Sequence, residues 1–201
     1  MLLISISFPA NSSARLSAVP STNPCNGNER THTFLSESRY GRRSGCALCC
    51  LFSCCHNPDT WNFNEGTEYT AEEILEKAVR YKEYFRENGG ITVSGGEPLM
   101  QADFVRELFE LSHKENIHTC LDTSGSIMND SVKALLEETD IVLLDIKYTD
   151  ESLYEKHVGC RMEKVTEFLS YLEAKKIPTV LRQVIIPSLN DNEENVLKLK
   201  S

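Results

Sequence analysis

Apolar positions in the second part of the chain alternate between helical spacing and the continuous runs of buried strands. Thr70 and Glu73 form a capping box, the signature of a helix start, and apolar residues at helical spacing follow as far as Gly89-Gly90. A short apolar strand, Ile91-Thr92-Val93, comes next. The same alternation predicts helices over 104–111, 131–138 and 165–172, and strands over 118–121, 141–144 and 179–186.

This order of elements predicts an α/β fold. Strands that alternate with helices and are apolar throughout indicate a parallel sheet covered by helices. In such sheets the chemistry lies at the carboxyl ends of the strands. Polar side chains at those ends are therefore the candidates for a functional site.

The first part of the chain has a different character. Residues 9–44 are rich in Ser, Asn, Arg and Pro and show neither helical nor strand periodicity. We predict an irregular leader over residues 1–53 and the structured domain over residues 54–201.

Composition and charge exclude several classes of protein. The 201 residues are 40% hydrophobic and 25% charged, which is ordinary for a globular domain. A net charge of −9 argues against a nucleic-acid partner, and no apolar run is long enough to span a membrane. Five of the eight cysteines fall within ten residues, which points to a metal or iron–sulfur site in a reducing cytoplasm. They are Cys46, Cys49, Cys50, Cys54 and Cys55.

Polar residues follow the predicted strands at consecutive ends. They are Gly95-Gly96-Glu97, Asp122-Thr123, Asp145-Ile146-Lys147 and, inside the last strand, Arg182. Each piece has a simple structural alternative: a glycine turn, a helix cap, or ion pairing of Lys147 and Arg182 with Asp145 or Glu97. Together the strand ends favour a binding site for a small zwitterion.

Four segments taken together carry a family resemblance. They are Cys-His-Asn-Pro-Asp-Thr-Trp at 55–61, Ser-Gly-Gly-Glu-Pro at 94–98, His-Thr-Cys-Leu-Asp-Thr-Ser-Gly at 118–125 and Leu-Leu-Asp-Ile-Lys at 143–147. The chain, from about residue 56 to residue 191, closely resembles the pyruvate formate-lyase activating enzymes of the radical S-adenosylmethionine (SAM) superfamily.

The resemblance implies a partial β/α barrel of the radical SAM type that holds a [4Fe-4S] cluster and SAM. In that family, reductive cleavage of SAM gives methionine and a 5′-deoxyadenosyl radical, which takes a hydrogen atom from a glycine of formate C-acetyltransferase. The implied electron donor is a flavodoxin or ferredoxin. Thiolates hold such a cluster, and fixed charges orient the cofactor.

The resemblance also implies roles for individual residues. It places SAM against Cys54, His56, Gly95, Gly96, Glu97, Asp145, Ile146, Lys147 and Arg182, with Glu97 and the two glycines at the SAM amino group. It places a monovalent cation beside SAM, held by Asp122, Thr123, Asp145 and the carbonyl of Leu143. Cys55 matches the last cluster cysteine of the family.

The cluster motif itself departs from the family. The family has Cys-x3-Cys-x2-Cys, and counting back from Cys55 puts Phe52 and Leu48 where the other two ligands belong. Cys46 and Cys50 have the first spacing, so a cluster on Cys46, Cys50 and Cys54 or Cys55 is the alternative. The positions of the cysteine ligands around an iron–sulfur cluster can vary only slightly. We therefore expect this chain to assemble the cluster poorly and to have little activity.

A shift of reading frame would explain the altered motif. Residues 40–52 can be back-translated so that the next frame spells Thr-Val-Asp-Gly-Pro-Gly-Val-Arg-Phe-Val-Val-Phe, which resembles the family's first strand. Residues 28–34 can similarly spell Met-Lys-Gly-Arg-Ile-His-Ser, which resembles its usual start. Our hypothesis is that residues 1–53 are a frame-shifted translation. The resemblance also implies a further strand and helix after Ser201, so we expect a barrel that is incomplete at both ends.

Two other functions stay open on the sequence alone. One is another radical SAM activase, such as that of anaerobic ribonucleotide reductase. The other is a non-catalytic metal-binding or partner-binding protein whose cysteine cluster takes zinc.

Overall fold

The computed structural model describes residues 69–85, 89–95, 97–158 and 161–200, and the backbone of four earlier strands. The strands are β1 Leu2–Phe8, β2 Leu16–Ala18, β3 Thr33–Ser38, β4 Ala47–Phe52, β5 Gly90–Gly95, β6 His118–Thr123, β7 Ile141–Asp145 and β8 Thr179–Ile185. The helices are α1 Ala71–Arg80, α2 Lys82–Phe85, α3 Ala102–Lys114, α4 Asp130–Glu137, α5 Glu151–Val158, α6 Met162–Lys175 and α7 Glu193–Lys200. None of the helices among these residues is both long and apolar enough to cross a membrane.

The chain divides into two compact units that are interleaved in sequence. The first unit contains residues 1–23, 124–128 and 143–201, and the second contains residues 24–123 and 129–142. Neither unit begins or ends at the predicted boundary between residues 53 and 54. The hypothesis of a frame-shifted origin for residues 1–53 concerns the encoding DNA and stays a prediction.

The second unit is built on strands β3 to β6. β4 pairs with β5 and β5 with β6, both in parallel, while β3 is antiparallel to β4. In the described part of this unit, α3 packs against α1 and α4. The apolar faces of these helices are buried through Ile74 on α1, Leu108 and Phe109 on α3, and Leu135 on α4. Burying each such side chain contributes about 1.5–3 kcal/mol.

The helix and strand starts of this unit follow from local chemistry. The predicted capping box is confirmed, because Thr70 Oγ1 accepts from the Glu73 N–H and a Glu73 carboxylate oxygen accepts from the Thr70 N–H. Gly90 then opens β5, where a Cβ atom would lie 1.9 Å from the carbonyl oxygen of His118 on β6. Only a residue without a side chain permits this approach of β5 to β6.

The first unit is built on β1, β2 and β8, with α5, α6 and α7. β1 runs antiparallel to both β2 and β8, and Leu2 pairs with Ile185. α5 packs against α6, and α6 buries Val165, Phe168 and Leu172 as its predicted apolar face requires.

Residues 1–53 differ from the sequence prediction in one respect. They were expected to be irregular, and the structure instead forms β1 to β4 there. β4 lies parallel to β5, at the edge where the predicted barrel was expected to lack a strand. The physical reason is backbone pairing: an exposed strand edge presents a row of N–H and C=O groups that accepts another extended segment. This pairing needs no regular alternation of side chains.

Candidate active site

A carboxylate is held in place where β5 ends. Glu97 follows the strand and begins a short 3-10 helix over Pro98–Gln101. Its Oε1 accepts a hydrogen bond from Thr123 Oγ1 at 2.6 Å and from the backbone N–H of Leu99 at 3.2 Å. Thr123 is the last residue of β6 and is only 3% exposed. Hydrogen bonds to a carboxylate are shorter and stronger than those between neutral groups, so the Glu97 side chain has one well-defined orientation.

A second cross-strand contact lies one residue before Thr123 on β6 and three residues before Glu97 on the β5 side. Ser94 Oγ on β5 donates to Asp122 Oδ2 on β6 at 3.0 Å. The two residues follow the parallel pair Val93 and Leu121, so the register of β5 and β6 brings them together. Each strand therefore supplies a hydroxyl that bonds to a carboxylate of the other strand's end.

The first unit holds a separate group of charges where β7 ends. Asp145 Oδ1 accepts from Arg182 Nε at 2.8 Å, and Asp145 Oδ2 accepts from Lys147 Nζ at 3.0 Å. All three side chains are at most 23% exposed, so water screens them less than it screens surface charges. This group brings one carboxylate together with two cations. The two cations are the side chains of the group that can attract an anion.

The backbone around this group is also fixed. The N–H of Ile146 donates to the carbonyl of Arg182 at 2.8 Å, which continues the pairing of β7 and β8 beyond Asp145. The predicted ion pairing of Lys147 and Arg182 with Asp145 is therefore present.

Of the other predicted site residues, some lie within the part of the chain that the structure describes and some lie outside it. Gly95 ends β5, Leu143 lies in β7, and the backbone of Cys50 lies in β4. The remaining ones, Cys46, Cys54, Cys55, His56 and Gly96, lie outside the described residues. The predicted cluster ligands therefore stay a prediction.

The monovalent-cation site also stays a prediction. Asp122 and Thr123 belong to the second unit, and Leu143 and Asp145 belong to the first. Among the described residues, no three side chains of His, Cys, Asp or Glu come together in a way that could hold a metal ion. The predicted site has only two carboxylates, so this finding does not bear on it.

Sequence reasoning missed a polar cluster at the opposite end of β6. His113 and His118 both contact the Asp140 carboxylate, at 3.1 Å and 3.5 Å. The other ring nitrogen of His113 lies 3.2 Å from Glu138. Asp140 also accepts from the backbone N–H of Thr119 at 2.8 Å. The pairing of two histidines with acidic residues more than 20 positions away leaves no local signal in the sequence.

This cluster shifts the pKa of one carboxyl group. Burial by itself would raise the pKa of Asp140. The hydrogen bonds from the Thr119 backbone and from His113, with the charges of His118 and His113, outweigh burial and lower the pKa of Asp140 below its ordinary value.

Comparison with known proteins identifies the family. A family model described as the radical SAM superfamily matches residues 43–199. The chain belongs to this superfamily. Radical SAM enzymes use a [4Fe-4S] cluster and SAM, and the predicted α/β fold of the radical SAM type is confirmed.

Individual relatives of this radical SAM chain share a name. It is 44% identical over 156 residues to the pyruvate formate-lyase-activating enzyme of Clostridium pasteurianum. The matched region covers 77% of this chain and 64% of that relative. It is 38% identical over 158 residues to the pyruvate formate-lyase 1-activating enzyme of Escherichia coli strain K12, covering 77% of this chain and 63% of the relative. The chain thus spans slightly less than two thirds of the length of these relatives. They do not favour the ribonucleotide reductase or zinc-binding alternatives.

A solved structure supports the fold of this radical SAM chain. The crystal structure of a domain of pyruvate-formate lyase-activating enzyme from Bacteroides vulgatus ATCC 8482 superposes with a TM-score of 0.50 and 23% sequence identity. The superposition covers 54% of this chain and 67% of that domain. At this identity the similarity concerns the fold alone.

Proposed function

We propose that this chain derives from a radical SAM activase of the formate C-acetyltransferase type. It keeps the residues that bind SAM but has little activity of its own, because the altered cysteine spacing impairs cluster assembly. The observation that carries the proposal is the 44% identity, over 77% of the chain, to a pyruvate formate-lyase-activating enzyme. The two groups of charges at the strand ends support it, because SAM carries both an ammonium and a carboxylate on its methionine part. The proposal includes a flavodoxin or ferredoxin as electron donor and a reducing cytoplasm as the compartment.

The role of Glu97 follows from its hydrogen bonds. Its carboxylate binds the ammonium group of SAM, and Thr123 and the Leu99 N–H fix its orientation before SAM arrives. A carboxylate that is already oriented loses less conformational entropy on binding. Gly95 and Gly96 let the backbone come close to the same group.

The Asp145 group has the complementary role. Lys147 and Arg182 are the cations that attract a carboxylate, and Asp145 fixes the direction of both. The Ile146 backbone, already bonded to Arg182, holds the strand end against displacement when the ligand binds.

The cluster and SAM, when bound, supply the reductive cleavage that starts hydrogen abstraction from the partner's glycine. We propose Cys55, with Cys50 and Cys46, as the cysteines available to a cluster, and Cys54 and His56 as their neighbours at SAM. The ligand positions given by the family spacing are occupied by Leu48 and Phe52. We therefore expect anaerobic reconstitution of this chain to give far fewer than the roughly four irons per chain of a complete [4Fe-4S] cluster. A full complement of iron that Cys50→Ala abolishes would show instead that the shifted cysteines bind the cluster.

SAM binding tests the proposal directly. Glu97→Gln removes one charge with little change of shape, and Glu107→Gln makes the same change on an exposed position of α3. We expect the full chain to bind SAM in a calorimetric titration. Glu97→Gln should weaken binding by about tenfold, the usual size of a lost hydrogen bond to a charged group, and Glu107→Gln should leave it unchanged. An unmodified chain that does not bind SAM, or equal weakening by both substitutions, would refute the assignment.

A further inference from the structure

One buried amide on α7 uses all of its hydrogen-bonding capacity. Asn195 is 6% exposed. Its Oδ1 accepts from Thr149 Oγ1 at 2.7 Å and from Gln183 Nε2 at 3.4 Å. Its Nδ2 donates to Gln183 Oε1 at 2.7 Å and to the carbonyl of Asn190 at 2.9 Å. A side-chain amide has two acceptor lone pairs and two donor hydrogens, so all four hydrogen-bonding groups of Asn195 have a partner.

The partners of this amide are the neighbours of the charged group at Asp145. Thr149 lies two residues after Lys147, on the segment that leaves β7. Gln183 is 1% exposed and lies next to Arg182 on β8. Adjacent residues of a strand point to opposite faces, so Gln183 faces Asn195 while Arg182 faces Asp145. The Asn195 side chain therefore joins the two segments that carry the two cations.

The end of β8 is fixed by a related contact. Asn190 is 2% exposed, and its side chain accepts from the Ile186 N–H at 2.6 Å and donates to the Val184 carbonyl at 2.9 Å. The Asn190 side chain thus makes the two hydrogen bonds that the backbone of a neighbouring strand would otherwise make. Because Asn195 Nδ2 bonds to the carbonyl of Asn190, the same network holds the turn that follows β8.

We propose that Asn195 is a positioning residue for Arg182. Its amide holds the segment after β7 and the strand β8 at the separation that lets Arg182 reach Asp145, whereas Lys147 lies on the same segment as Asp145. Without it, Thr149 and Gln183 lose their common partner, and β8 can move relative to Ile146 and Asp145. The effect on Arg182 is a property of the chain itself, and only the consequence for SAM affinity rests on the proposed function.

The test reads the bond between Arg182 and Asp145 directly. In the full chain labelled with ¹⁵N-arginine, NMR measures how fast the Arg182 Nε–H exchanges with water, and loss of the signal in Arg182→Lys assigns it. We expect Asn195→Ala to speed this exchange by about tenfold or more, as expected when a hydrogen bond to a charged group is lost. The matched control is Asn129→Ala, which removes the side-chain cap of α4 in the other unit and should leave the exchange unchanged.

A purely structural role would lower stability without changing this signal. Unchanged Arg182 Nε–H exchange in folded Asn195→Ala, or equal acceleration in Asn129→Ala, overturns the proposal. If Asn195→Ala does not fold by circular dichroism, Asn195→Asp and Thr149→Val, which remove fewer hydrogen bonds, are measured in the same way. Unchanged exchange in both of these folded variants overturns it equally.

A double-mutant cycle on SAM affinity separates this proposal from the proposed function. If Asn195 acts through Arg182, then Asn195→Ala weakens SAM binding in the unmodified chain but has little further effect in Arg182→Lys. Additive losses contradict positioning through Arg182. Absence of SAM binding by the unmodified chain refutes the proposed function, and the exchange measurement then still decides the role of Asn195.

Discussion

The stability of the Asp140 cluster gives the sharpest quantitative prediction. Asp140 lies directly before β7 and accepts hydrogen bonds from the Thr119 backbone, the Thr119 hydroxyl and His113. Thr119 is fully buried. Asp140→Ala removes Oδ2, the single oxygen that accepts all three bonds, and takes its acceptor away from the buried Thr119 N–H. Asp140→Asn keeps the shape and one neutral acceptor oxygen.

The expected magnitude follows from these contacts. A hydrogen bond to a charged group contributes about 1.5–3 kcal/mol, and a buried donor without a partner costs about 1–3 kcal/mol. We expect Asp140→Ala to lower the free energy of unfolding by about 3 kcal/mol and Asp140→Asn by about half of that. For a chain of this size the Ala variant should melt about 6–12 °C below the parent.

Urea unfolding followed by circular dichroism at several pH values measures both the size and the sign of the effect. The pKa of Asp140 is lowered in the folded chain from its ordinary value of 3.8. Its contribution to stability is therefore fully present above that value and is lost as the pH falls through the lowered pKa. The difference between parent and Asp140→Ala should be large at neutral pH and should shrink in strong acid.

The control for this experiment is Glu115→Ala, which breaks an ion pair with Lys82 in which both side chains are more than 40% exposed. It should change the free energy of unfolding by about 0.5 kcal/mol or less. Equal urea midpoints for parent and Asp140→Ala at neutral pH would refute the reasoning. A difference that persists unchanged in strong acid would show that the carboxylate charge is not the cause.

Two further predictions concern the turn after β6 and the first part of the chain. Gly125 has φ +65°, and a Cβ there would lie 2.8 Å from Leu144 Cδ1 and 3.0 Å from Phe168 Cδ1. Gly125→Ala should therefore lower the free energy of unfolding by at least about 1 kcal/mol in urea, and an equal or higher midpoint would contradict the strained geometry. The DNA that encodes residues 28–55 should contain, one nucleotide later, an open frame that spells the family's first strand and cluster cysteines. Sequencing checks this, and a stop codon in that frame would remove the frame-shift hypothesis.

Local signals in the sequence predicted the helices and strands whose causes are themselves local. The capping box at Thr70 and the apolar face of α6 depend on residues within a few positions of each other, and both are present. The ion pairs of Lys147 and Arg182 with Asp145 are one of the structural alternatives that the sequence left open. The functional role of the Glu97 carboxylate, which the resemblance implies, stays a prediction.

The contacts that the sequence did not predict join residues far apart in the chain. α7 was not predicted, because its short sequence has a weak apolar face, and Asn195 and Gln183 are residue types usually found at the surface. Their burial depends on each satisfying the other. Asp140 and His113 meet for a similar reason, since 27 positions separate them along the chain. Strands β1 to β4 depend on backbone pairing, which the side-chain pattern does not record.

The pairing of β1 with β8 has a consequence for the order of folding. Leu2 pairs with Ile185, so this contact joins nearly the two extremes of the chain. Closing so large a loop costs conformational entropy before the strands form stabilising contacts. Contacts between residues far apart in the sequence therefore slow folding. The parallel pairs β4–β5 and β5–β6 close shorter loops. During synthesis β1 emerges from the ribosome well before β8, so β1 cannot pair until the segment that carries Arg182 has also been made.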